Sequence, residues 1–129
     1  VKKTRRAITA ALGALLATTG IATAAGAAIP INFPPGSTHG RGHGYMHNIH
    51  SVVMFTFRCH AGRHVRVNVV GHGPTRGIVV FPNGQQDGSP GGVVFDEQVH
   101  QTGLYHIRVT EDSMAEQWHG KVTVYVTRN

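Results

Sequence analysis

The 129 residues include 12 Lys and Arg against 6 Asp and Glu, a formal charge of +6, with ten His and a single Cys. Four of the basic residues, Lys2, Lys3, Arg5 and Arg6, precede Ala7, so the rest of the chain carries 8 against 6 and has Lys121 as its only lysine. A nucleic-acid partner needs Lys and Arg clustered on the folded part and is excluded on this count. Cys59 alone allows no intramolecular disulfide, and the length beyond the N-terminal run suits one small domain rather than two.

The basic start is followed by an uncharged, Ala- and Leu-rich run from Ala7 to Ala28, the layout of a cleaved export signal. Ala22-Thr23-Ala24 and Ala25-Gly26-Ala27 both satisfy the small-x-small requirement, and the second gives a signal of residues 1–27. Thr9, Thr18, Thr19, Thr23 and three glycines dilute the run below the roughly 20 strongly apolar residues of a membrane span. The product is therefore expected to be secreted or periplasmic, with no stable membrane anchor.

Residues 28–50 have the composition of a flexible linker, with Pro30, Pro34 and Pro35 followed by closely spaced glycines. Ile29, Ile31 and Phe33 alternate, but three prolines nearby argue against a strand. His39, His43, His47 and His50 give this segment the means to wrap a zinc, copper or nickel ion weakly, because neutral imidazole is a ligand for all three. No cofactor is otherwise required.

From Ser51 the period is two. Val53, Phe55, Phe57 and Cys59 alternate with Thr56, Arg58 and His60, and Val65, Val67 and Val69 alternate with His64, Arg66 and Asn68. The link Ala61-Gly62-Arg63 predicts a β-hairpin that places His60 and His64 near its turn and Arg58 and Arg66 across one solvent face. Ile78 to Phe81 is the next predicted strand, closed by the turn Pro82-Asn83-Gly84, with residues 85–92 read as a polar loop and Val93 to Phe95 as a short strand. Tyr105, Ile107 and Val109 then alternate with His106, Arg108 and Thr110 behind Gly103. Val122, Val124 and Val126 form the last strand. Six or so short strands without a helical period over residues 51–129 predict an all-β fold, a small antiparallel β-sandwich. Phe55, Phe57, Val67, Tyr105, Ile107, Val109 and Val124 are its expected shared core.

The order Phe55-Thr-Phe-Arg-Cys-His-Ala-Gly, Val80-Phe-Pro-Asn-Gly and Thr102-Gly-Leu-Tyr-His-Ile-Arg-Val resembles the exported β-sandwiches related to bacterial pre-peptidase C-terminal domains. It also resembles the periplasmic inhibitors of goose-type lysozyme, which are similar in fold and carry a Ser-Gly-x-Tyr loop used in related lysozyme inhibitors to enter the enzyme cleft. Thr102, Gly103, Leu104 and Tyr105 stand at the matching positions. The resemblance implies a non-enzymatic binding module of the bacterial envelope whose partner is a lysozyme or another envelope protein. Thr102 to Leu104 would form its tip, and His106, Arg108 or Arg66 would supply a cation toward the carboxylates of a glycosidase cleft. Two further readings compete with it, a His-rich extracytoplasmic metal-binding protein and a structural or adhesive module. Tyr105, by its alternation with Ile107 and Val109, also reads as a plain core residue. Catalysis by Cys59 with His60 or His64 is disfavoured, since alternation turns Cys59 inward and His60 outward.

Overall fold

A computed structural model describes residues 27–48, 50–112 and 118–129 as nine β-strands with no helix. The export signal expected over residues 1–27 lies, apart from Ala27, outside the described residues. The strands are β1 (Ile29–Pro30), β2 (His39–Met46), β3 (Val53–Cys59), β4 (His64–Gly71), β5 (Thr75–Val80), β6 (Gln86–Pro90), β7 (Gly92–Gln98), β8 (Gly103–Glu111) and β9 (Gly120–Arg128). Five of them form one sheet in the order β1-β3-β8-β5-β6, and four form the other in the order β2-β9-β4-β7. All pairings are antiparallel except β1 with β3. The expected all-β sandwich is what the chain builds.

Alternation decides which side chains meet between the sheets. Phe55, Phe57 and Cys59 on β3, with Tyr105, Ile107 and Val109 on β8, pack against Val65, Val67 and Val69 on β4 and Val122, Val124 and Val126 on β9. Every one of the seven residues expected to share a core is buried. Burying a side chain of the Val, Leu, Ile or Phe class contributes about 1.5–3 kcal/mol. A layer this continuous therefore supplies the stability that a disulfide supplies in many small exported domains.

The connection from β3 to β4 differs from the expected hairpin. β3 pairs with β1 and β8, whereas β4 pairs with β7 and β9 in the opposite sheet. Ala61-Gly62-Arg63 is an arch between the layers, so the aromatic row of β3 faces the valine row of β4 across the core instead of lying beside it. Period-two alternation fixes which side chains point inward and is blind to this choice. In consequence Arg58 and Arg66 stand on opposite outer faces of the molecule.

Residues 28–50 are not a free linker. β2 runs antiparallel to β9 from His39 opposite Thr127 to Met46 opposite Gly120, and the bridge of Asn32 to Arg41 ties it to the segment behind β1. Three of the four inward positions of β2 are glycines, with Met46 the fourth, because the core leaves no room for more at those three. A Cβ at Gly40 would lie 2.7 Å from the Phe33 ring, one at Gly42 3.1 Å from Phe55, and one at Gly44 2.7 Å from Val53. Prolines occupy the short β1 and the turn after it, where missing donors are tolerated. Residues 85–92, expected as a loop, contain the edge strand β6, whose polar sequence carries no apolar alternation. β7 extends beyond Val93 to Phe95, and a register shift between Val67 and Asn68 turns both Val94 and Phe95 inward.

Candidate functional site

One end of the sandwich collects the end of β3, the 60–63 arch, the start of β8, the 36–38 turn and the end of β9. Thr102 and Gly103 stand there as a tip held from several sides. The Thr102 hydroxyl oxygen accepts a hydrogen bond from the Ala61 N–H at 2.9 Å, binding the tip to the arch. The Gln101 side-chain oxygen accepts from the Asn83 N–H at 2.9 Å, binding it to the 82–84 turn. At Gly103 φ is +152°, and a Cβ would lie 3.1 Å from the Pro82 ring, so glycine serves here both for its backbone freedom and for close approach.

Tyr105 fastens the same tip from beneath. Its ring is 1 % exposed, stacks on Phe57 at 5.2 Å between centroids and meets Phe81 edge-on at 5.9 Å. Its hydroxyl donates to the Gln101 carbonyl oxygen at 2.6 Å. Burial pushes the phenol above its ordinary pKa, and the neighbouring Cys59 adds to that shift. Tyr105 therefore positions the tip and is not itself a contact surface, as its alternation indicated.

Beside the tip lies a recess of about 510 Å³ lined by Arg58, His60, Arg63, Thr102, Gly103 and Arg128, with Cys59 and residues 36–38 completing it. No Asp or Glu lines it. The Arg128 guanidinium sits 3.6 Å over the Phe33 ring centroid and donates through Nη1 to the Arg58 carbonyl oxygen at 2.5 Å. Cys59 is buried, and desolvation pushes its thiol up despite the opposing charges of Arg128 and Arg63. A thiol so protonated behaves as a small apolar side chain rather than a nucleophile.

The remaining residues expected at this site are dispersed. Leu104, His106 and Arg108 follow one another on the outer face of the five-stranded sheet, opposite Arg58, Thr56 and Met54 of β3. Arg66 lies on the other sheet, with Nε 4.0 Å from Asp96 Oδ2, and His64 Nε2 is hydrogen-bonded to Asp96 Oδ1. Among the described residues, the arginines next to the tip are Arg58, Arg63 and Arg128. Sequence reasoning passed over this trio because its members are separated along the chain and meet only through the arch and the last strand.

Of the four histidines of the expected metal segment, His39 and His43 lie along β2, and His47 and His50 follow its end. His39 and His43 are exposed outward positions of β2, about 14 Å apart at the rise of an extended chain. His47 follows, with its ring 5.8 Å from that of Tyr45, and the His50 N–H bonds the Asn48 side chain. Among the described residues no three His, Cys, Asp or Glu side chains converge to hold a metal ion. No helix among them is long and apolar enough to cross a membrane.

No family model and no curated protein matches the sequence. Solved structures do. The chain is similar to the periplasmic inhibitor of g-type lysozyme, PliG, of Aeromonas hydrophila, with 18% identity and a TM-score of 0.63 over 79% of this chain and 96% of that one. PliG of Salmonella Typhimurium follows at 15% identity and a TM-score of 0.61, over 81% and 99%. A mutant of the Escherichia coli PliG gives 16% identity and 0.58, over 78% and 96%. What these likenesses establish is the fold, a two-sheet sandwich that the chain shares with lysozyme inhibitors over nearly their whole length.

Proposed function

We propose that the chain is an exported, non-enzymatic binding protein of the bacterial envelope that engages a lysozyme through the sandwich end bearing Thr102 to Leu104, with g-type lysozyme the first candidate. The observation that carries the reading is the tip itself. Hydrogen bonds to Thr102, Gln101 and Tyr105 hold it in one shape before any partner arrives, and a preorganised loop avoids the ordering cost of binding. The likeness to PliG supports the choice of partner, as does the apolar N-terminal run that predicts export to where lysozymes act. The order of motifs shared with pre-peptidase C-terminal domains is read as a shared scaffold.

The cations at this end are arranged for a partner whose cleft is acidic, and such complementarity speeds encounter and weakens with salt. The test is a cell-wall turbidity assay with g-type, chicken-type and invertebrate-type lysozymes. Wild-type protein should slow the g-type enzyme. Thr102→Ala combined with Leu104→Ala should weaken inhibition by about tenfold or more while the far-ultraviolet spectrum stays that of the parent. Failure of the wild-type protein to slow any of the three enzymes removes the proposal.

A further inference from the structure

We infer that the recess between Arg58, Arg63 and Arg128 is an oxyanion-binding site, built to seat a carboxylate, phosphate or sulfate group. Three arginines and His60 are among the residues that line it, and no Asp or Glu is. The ion pairs of Asp96 with His64 and Arg66 lie on the opposite sheet, away from the trio. Like charges gathered around one concavity repel each other, and an entering anion relieves that repulsion.

The donors are also organised for such a group. Arg128 lies over Phe33 and donates to the Arg58 carbonyl oxygen, which fixes the plane of a side chain that is otherwise flexible. A guanidinium has five N–H donors in a rigid fork matched to carboxylate and phosphate geometry, so one hydrogen bond leaves most of its capacity free. The Thr102 oxygen accepts from Ala61, which leaves the hydroxyl hydrogen available to a ligand. A volume of about 510 Å³ lies within the roughly 300–1,000 Å³ of ligand sites. It has room for a multivalent anion or for an acidic side chain presented by another protein.

The seat itself stands on this geometry alone. Its connection to a partner rests on the function proposed above, with the anion then an Asp or Glu side chain of the lysozyme. The experiment separates the two sources. Thermal unfolding of the purified protein is followed against sulfate, phosphate and citrate, with chloride at matched ionic strength as reference. The expected result is a saturable rise, about 5 °C at a tenfold excess over the dissociation constant for a domain of this size. The rise should vanish in the double variant Arg58→Gln, Arg63→Gln and persist in Arg66→Gln, whose side chain lies on the other sheet. No anion-specific rise, or an equal rise in the double variant, overturns the seat. If the anions bind and also displace lysozyme beyond the effect of chloride, the partner supplies the group. If they bind while no lysozyme is inhibited by any form of the protein, the seat holds for a free anion and the proposed function falls.

Discussion

Tyr105 joins core and tip through one side chain, its ring packed between Phe57 and Phe81 and its hydroxyl on the Gln101 carbonyl. Its raised pKa has a consequence for stability. A phenol that holds its proton more tightly in the folded chain than in the unfolded one contributes stability that is complete below its ordinary pKa of 10.0 and is lost as pH rises through the folded value. Cys59, also raised, from 9.0, acts in the same direction and begins lower. Urea unfolding should therefore show a midpoint that is flat near pH 8 and falls from about pH 9 upward. Tyr105→Phe should lose about 1 kcal/mol near pH 8 for the missing hydrogen bond and fall less steeply above pH 10, and an unaltered slope would contradict the linkage. Alternation with Ile107 and Val109 made the burial of Tyr105 legible from sequence. The neighbourhood of Thr102 with Arg63 and Arg128 was not, because it depends on an arch and a strand end distant along the chain.

At the scale of elements, β2 shows why composition misled. His-Gly-Arg-Gly-His-Gly-Tyr-Met has the glycine content of a linker, yet its alternation is strict, with three glycines and Met46 inward and polar or aromatic residues outward. A period built on glycine is missed by any reading that looks for apolar residues, since the apolar surface here is contributed by Phe33, Phe55 and Val53 lying against the bare backbone. The glycines are thus packing residues. Gly44→Ala should destabilise the protein by about 1–3 kcal/mol, the cost of overpacking, because its Cβ would meet Val53 at 2.7 Å. His43→Ala, on the exposed side of the same strand, should stay within about 0.5 kcal/mol. Equal melting temperatures for the two variants would place residues 39–46 outside the fold. The β3–β4 link was misread for another reason, since a short glycine-containing link serves a hairpin and an inter-sheet arch alike.

For the whole molecule, the class of fold and its core were legible because both follow from alternation alone, whereas the assignment of strands to sheets required long-range pairing that no local pattern encodes. The N-terminal strands close one side of the sandwich, with Ile31 and Met46 in the core and Phe33 packed against it. Deleting residues 28–46 should therefore abolish cooperative unfolding and the near-ultraviolet dichroism of the packed aromatics. A sharp transition near the parental temperature would restore the linker reading. The position of β9 has a kinetic side as well. This strand lies inside the four-stranded sheet, between β2 and β4, and pairs Gly40 with Val126 and Val67 with the same residue. Neither neighbour can complete its ladder until residues 120–128 are at hand, and closing such long loops is slow. A chain emerging N-terminus first would thus leave the edges of β2 and β4 that face β9 unpaired until residues 120–128 arrive, and a holding chaperone would have most to do in that interval.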